Sequence, residues 1–397
     1  MDRDALVERN RLLAEAFHAT PMRYKLRGRM LEAVAATRFT PQVTKPMRVL
    51  FIRPDHIGDM LLATPAIRAL KDAQPFAQIH VLAGPWAAPI LNSYDEIQQV
   101  LTIRFPGFDR NANRKQPFAP YTQLLRVSRQ LRAIGYSAAV IMRSDHWWGA
   151  MLAHVAGIPE IIGYDLPDVS PFLTRKLPFQ TDHAVRQNLR LVEHWTGKVA
   201  DSDVNFDLPL LPSDEEFVTE WLSSLNITPS QRLLCIHAGA GTWVKQWDAS
   251  RWAHVADTLH EQHDLQVIFT GSSSERALIT QITAQAQHTH INEGGVLSLG
   301  QLAALYSHSR IVVGCDSGPL HIAAAVKTPT VALFGPANPI EFGQWGDRQK
   351  YLILSSTIGC RPCRVLDWGD DAPANHPCMR DISINDVLAA ATRVLNS

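Results

Sequence analysis

The chain has 397 residues, with 38 Lys+Arg against 38 Asp+Glu, 46% apolar and 19% charged. That length predicts two domains, each burying its own core, and the charge balance argues against a general nucleic-acid binder. The charged opening MDRDALVERN is not a signal peptide, no apolar run approaches the ~20 residues that span a bilayer, and the odd count of five cysteines fits no disulfide framework, so a cytoplasmic location is the simplest reading.

Residues 1–46 read as a helical extension. Leu6, Leu12, Leu13, Ala16 and Phe17 make an apolar stripe at helical spacing. Arg23, Lys25, Arg27, Arg29 and Arg38 then stand against a lone Glu32. Such a basic stretch is either a solvated face or a peripheral contact with the anionic inner-membrane surface.

The pattern changes at Met47. Arg48–Arg53 (RVLFIR) reads as a strand covered on both faces. Pro54–Ile57 leads into Gly58-Asp59 and a helical pattern to Ala73. Gln78–Gly84, Val100–Ile103 and Ala138–Arg143 read as further strands, with helices at Pro85–Tyr94 and Tyr121–Ile134. Strands alternating with helices predict a parallel sheet covered by helices.

Leu208–Asp214 (LPLLPSD) carries two prolines, and Ser213 ahead of Glu215 and Glu216 reads as a helix N-cap. The domain boundary is placed there, giving residues 47–212 and 213–397. The second half repeats the grammar of the first. Arg232–Ala238, Gln266–Thr270, Arg310–Cys315 and Thr330–Phe334 read as strands, and Ala249–His263, Ser273–Gln287 and a segment from Pro319 as helices. Two doubly wound α/β units in tandem imply a cleft, with ligands at the carboxyl ends of the strands.

The residues that bear chemistry stand at those ends. Asp59 lies between the first strand and its helix; it is either a first-turn acid complementing the helix dipole or a general base. Asp316-Ser317-Gly318-Pro319-Leu320-His321 opens a helix whose amide groups suit a phosphate. Asp316 suits a sugar or ribose hydroxyl, and His321 alone reads as a core histidine. His237 to Lys245 is a strand end, a small-residue loop with Gly241 and Thr242, and a lysine, a set suited to a diphosphate. It lacks the spacing of a P-loop, and no G-x-G-x-x-G follows the first strand. Glu275, after Gly271-Ser272-Ser273-Ser274, could meet a ribose, although alone it reads as a first-turn acid. Cys360, Cys363, His376 and Cys378 could bind a structural Zn²⁺ or iron ion, or the loop could be packed around free thiols. Cys235 and Cys315 lie in core strands and should be inert. Positive charge for an anionic acceptor could come from Arg53, Arg143 and His146, or from a loop with Arg104, Arg110, Arg114 and Lys115.

Two stretches, RVLFIRPDHIGDMLLATPAIRAL and VVGCDSGPLHIAAAVKTPTVALFGPANP, together resemble glycosyltransferase family 9, the ADP-heptose:lipopolysaccharide heptosyltransferases. The similarity runs over residues 47–395. It implies the GT-B fold of two Rossmann-like domains facing across a cleft, an inverting reaction, and no cofactor at the chemical step. It also implies Asp59 as base, Lys245 on the donor diphosphate, Glu275 near the adenosine, and Asp316, Ser317, Gly318 and His321 in the donor signature. Ala240 and Gly241 replace the family's Thr-rich form, with Thr242 adjacent. The partners so implied are ADP-heptose and the lipopolysaccharide inner core. Alternatives are a Ser/Thr hydroxyl of a protein acceptor, a UDP-sugar donor, and a non-catalytic nucleotide-sugar-binding protein.

Overall fold

The computed structural model describes residues 3–18, 22–37, 39–40, 46–109, 118–366 and 376–397. Its contacts divide the chain into two compact units, Thr20–Asn205, and Phe206–Ser397 joined by Met1–Ala19. The helices of the first 46 residues are therefore shared out. Arg3–His18 sends Val7 onto the core of the second unit, and Met22–Ala35 packs in the first against the helix Trp147–Val155.

The first unit holds β1 (Arg48–Arg53), β2 (Gln78–Ala83), β3 (Gln99–Thr102), β4 (Ala138–Ile141), β5 (Glu160–Tyr164) and β6 (Arg175–Leu177). They form one parallel sheet in the order β3-β2-β1-β4-β5-β6. The second unit holds β7 (Arg232–His237), β8 (Leu265–Phe269), β9 (Ile291–Asn292), β10 (Ser309–Cys315), β11 (Thr330–Phe334) and β12 (Tyr351–Ser355). Its order is β12-β11-β10-β7-β8-β9, again parallel. Both sheets thus follow one topology, in which the strand order reverses between β1 and β4, and between β7 and β10. A crevice opens outside the carboxyl ends at such a switch point.

Apolar burial on both faces makes the central strands. Val49–Ile52 in β1 and Leu234–Ile236 in β7 are buried. In the first unit Leu50, Ile52, Leu82 and Ile141 pack with Val127 and Leu131 of the helix Ala119–Ile134 and with Trp148 and Leu152. In the second, Ile236, Val267, Phe269, Val313 and Leu333 pack with Trp252 and Leu259 of the helix Ala249–His263 and with Val387 and Ala391.

Four details differ from the sequence reading. Ser213 is not an N-cap: the helix is Pro212–Ser224, Leu211 is its N-cap, and Pro212 supplies the preset φ of a first turn. The helix expected at Pro85–Tyr94 shrinks to Ala88–Leu91. The helix expected over Ser273–Gln287 begins as a 3₁₀ turn and ends at Thr283. The strands β5, β6, β9 and β12 have no counterpart in that reading. Among the described residues, no helix is long and apolar enough to cross a membrane.

Candidate functional site

Each sheet gathers charged side chains at its switch point. In the first unit, β1 ends at Arg53 and runs through Pro54, Asp55 and His56 into the short helix Ile57–Leu61. Arg53 is buried among acceptors. Its Nε stands 2.7 Å from Asp55 Oδ2, and its Nη2 stands 3.3 Å from Asp59 Oδ1. Its Nη1 donates to the Met142 carbonyl and, at 3.3 Å, to Asn188 Oδ1. Arg143, just beyond β4, pairs with Asp55 from the other side of the switch point. Burial alone pushes the Asp55 carboxyl up; the Arg53 and Arg143 guanidiniums together outweigh it and hold that carboxyl below the usual range.

Asp59 is the open end of this cluster, with a third of its side chain exposed (33%). It stands in the first turn of its helix, where both sequence readings had it. Of Arg53, Arg143 and His146, Arg143 is the accessible one, at 37% exposure. It also pairs with Asp145 at 2.6 Å and lies over the Phe108 ring. Arg104 is exposed and pairs with Asp109 at 3.0 Å. Arg110, Arg114 and Lys115 lie outside the described residues.

Arg53 and His146 are inside. Arg53 is committed to Asp55, and replacing it with methionine leaves a buried carboxylate with half its countercharge. Arg53→Met should therefore cost on the order of 3 kcal/mol in urea unfolding; a loss below about 1 kcal/mol, the scale of a surface pair, would contradict this account of the cluster.

His146 sits between Phe105 and Phe108, ring centroids 5.3 and 5.7 Å away. A Cβ on Gly149 would come within 2.4 Å of its Nδ1, so only glycine fits there. Burial drives its pKa down to about 3 and keeps the ring neutral. A free imidazole titrates near 6.5, so between about 6.5 and 3 the unfolded chain takes a proton that the folded chain refuses. Stability should then fall as pH drops through that window, by about 1.4 kcal/mol per unit from this group. His146→Leu should show a correspondingly shallower slope of stability against pH; identical slopes would contradict the burial of a neutral ring.

In the second unit three neighbouring strands, β10, β7 and β8, deliver three loops. After β7 the chain runs through Ala238 to Thr242 into the 3₁₀ turn Trp243–Lys245. Lys245 Nζ stands 2.6 Å from Asp316 Oδ2, the first residue after β10, and both side chains are largely buried. Ser317 caps the helix Gly318–Ala325, with its Oγ donating to the Cys315 carbonyl at 3.1 Å. His321 is buried in that helix. Gly241 is exposed, and Thr242 Oγ1 donates to the Leu366 carbonyl at 2.7 Å.

Below this surface, His237 Nδ1 meets Thr270 Oγ1 at 3.2 Å, which meets the Tyr306 hydroxyl at 2.8 Å. Burial lowers the His237 pKa against the pull of Glu275. Glu275 closes a capping box, accepting from the Ser272 amide and hydroxyl at 2.8 and 2.7 Å. Its other oxygen would lie 1.9 Å from a Cβ at Gly239, so the β8 turn packs directly on a glycine of the β7 loop. The sequence reading passed over Asp55, Asn188 and Glu293. The buried Glu293 accepts from the Gly271 amide at 3.3 Å and the Leu297 amide at 2.7 Å, bracing the β8 turn, and burial lifts its pKa to about 7.

Of the four residues read as a metal clip, three are neighbours: burial first, and then the nearby thiols of Cys363 and Cys360, raise the pKa of the Cys378 thiol, and all three surround the Arg361 guanidinium. Cys378 is buried in the core of the second unit, and Cys360 packs against that core half-buried. His376 packs edge-on to Trp243, ring centroids 4.9 Å apart. Among the described residues no group of three His, Cys, Asp or Glu side chains is arranged to hold a metal ion, so the metal reading gains no support here. Cys235 and Cys315 are fully buried, their thiol pKa values pushed up to about 12 by that burial, as inert core thiols should be.

The chain as a whole is similar to known proteins. The family model described as glycosyltransferase family 9 (heptosyltransferase) matches residues 124–367. Lipopolysaccharide heptosyltransferase 3 of Escherichia coli is 27% identical over 347 residues, covering 86% of this chain and 97% of that protein. The crystal structure of a family 9 glycosyl transferase from Veillonella parvula superposes with a TM-score of 0.74 at 22% identity, covering 89% of this chain and 100% of the other. The structure of E. coli ADP-heptose lps heptosyltransferase II superposes with a TM-score of 0.69 at 20% identity, covering 88% of this chain and 99% of the other.

Proposed function

The chain belongs to glycosyltransferase family 9 and is a glycosyltransferase; from that premise we propose that it moves a heptose from ADP-heptose to a hydroxyl of the lipopolysaccharide inner core, inverting the anomeric carbon. The observation that carries this reading is the Lys245–Asp316 pair at the switch point of the second sheet, beside the Ser317-Gly318 start of a helix. A lysine and a helix amino terminus together offer the positive charge that a diphosphate needs. Asp316 holds that lysine in place and leaves its second oxygen for a sugar or ribose hydroxyl.

In the reaction so read, the acceptor oxygen bonds to the anomeric carbon and the bond from that carbon to the diphosphate oxygen breaks. The electron pair leaves with ADP. Asp59 takes the acceptor proton as the new bond forms, and Lys245 with the helix terminus meets the charge that builds on the leaving group. Glu275, packed against Gly239 of the β7 loop, lies at the strand end where the nucleoside would rest. Arg143 and Arg104 are the described cations suited to the carboxylates and phosphates of an inner-core saccharide. The relatives' names support the choice of heptose and lipopolysaccharide: one is a lipopolysaccharide heptosyltransferase and another an ADP-heptose lps heptosyltransferase.

Titration with ADP and with UDP, followed by transfer assays with the matching sugar donors, tests the donor half. ADP should bind more tightly, and only ADP-heptose should support transfer. Equal binding of UDP with transfer from a UDP-sugar would replace this donor.

A further inference from the structure

The helix Ala119–Ile134 of the first unit buries Leu124, Val127 and Leu131 in the core, as an amphipathic helix should. Its outer face is unusual. Phe118, the N-cap residue, is 76% exposed, Leu125 is 51% exposed and Tyr121 is 38% exposed. Spacings of three, four and seven residues put them on one side of the helix. Arg126 and Arg129 continue that side toward the carboxyl end, exposed, and neither forms an ion pair with a described residue. The helix has no Asp or Glu.

Of the described arginines of the two N-terminal helices, Arg9 bonds Asn10 and Arg29 is exposed, while two others are paired. Arg11 pairs with Glu8 and Glu15, and Arg27 pairs with Asp168 and lies over Trp147. On the helix Ala119–Ile134, two arginines that pair with no described residue stand beside three exposed apolar side chains.

We propose that this face, Phe118, Tyr121 and Leu125 with Arg126 and Arg129, docks the enzyme on an anionic lipid bilayer. Aromatic and leucine side chains enter the boundary between headgroups and acyl chains, and arginines stay among anionic headgroups. The charge pattern selects the occupant: two arginines that pair with no described residue, on a helix without a carboxylate, match a sheet of negative headgroups. Its position serves the reaction. Trp148 Nε1 donates to the Pro120 carbonyl at 3.2 Å and Gln123 Nε2 donates to the Arg104 carbonyl at 3.0 Å. The amino end of the helix thus adjoins the carboxyl end of the first sheet, where Arg104, Arg143 and Asp59 stand. A saccharide anchored by lipid would arrive at that end with its anchor still in the bilayer. This last link rests on the lipopolysaccharide reading; the docking surface itself does not.

The test uses the full chain and two kinds of vesicle, phosphatidylcholine alone and phosphatidylcholine with phosphatidylglycerol. Wild type should sediment with the anionic vesicles and not with the neutral ones. Arg126→Glu/Arg129→Glu should weaken that binding by at least ~25-fold, about fivefold for each arginine lost, and Phe118→Ser/Leu125→Ser should also release the protein. Both variants should transfer heptose to a delipidated core saccharide as fast as wild type, which shows that they are folded. Anionic binding that is the same in wild type and variants would overturn the proposal, as would no binding by the wild type. A wild-type dimer that the variants dissolve would assign the face to a second copy instead. Sedimentation without transfer to any lipopolysaccharide acceptor would refute the acceptor reading and leave the docking surface standing.

Discussion

The Asp59→Asn enzyme is expected to bind ADP as the wild type does and to turn over about 10²–10⁴-fold more slowly, the usual contribution of a positioned general base. Asparagine keeps the size of the side chain and can still meet Arg53, so the loss isolates the proton acceptor. The carboxylate is partly exposed, while its neighbour Asp55 is buried and held by two arginines. Two carboxylates on one short segment thus have different settings: Asp55 is tied into the structure and Asp59 stands at its edge. Because Asp59 and Lys245 belong to different units, a loss of turnover with unchanged ADP affinity and unchanged unfolding temperature would be chemical in origin. Full turnover by Asp59→Asn would remove it from the mechanism.

Lys245→Met should lower kcat by about 10²–10³, the cost of removing one preorganised electrostatic contact from a developing charge, and should also weaken ADP binding. It carries a second consequence. Asp316 is left nearly buried without its cation, a state expected to destabilise the fold by a few kcal/mol. The double variant Lys245→Met/Asp316→Asn separates the two effects. It should recover much of the unfolding temperature and little of the turnover, because the countercharge for the diphosphate is still missing. Turnover restored together with stability would mean that Lys245 serves the fold alone.

The strands at the centre of each sheet were legible in the sequence because their environment is simple. β1 and β11 are apolar runs buried on both faces, and their limits match the sequence reading at Arg48–Arg53 and Thr330–Phe334. Edge strands were not legible. β6 is the tripeptide Arg-Lys-Leu, mostly exposed, and β9 has only two residues; neither carries a periodic signal, and pairing with a neighbour alone makes them strands. The site divides in the same way. Asp59, Lys245 and Asp316 could be named from their places just after predicted strands. Asp55 could not, because its meaning comes from Arg143, 88 residues away, and Asn188 meets Arg53 across 135 residues. His146 carried the opposite hazard. At a strand end it reads as a ligand group, and only the packing of Phe105 and Phe108 shows that it is enclosed.

The measurement that bears most directly on this account is ADP release from ADP-heptose, with lipopolysaccharide core lacking the heptose as acceptor. The account predicts release that depends on the acceptor, a heptosylated core as product with the anomeric configuration inverted, and loss of both in Asp59→Asn. ADP bound tightly by the wild type, with no release on any heptose-deficient core, would contradict the proposed acceptor.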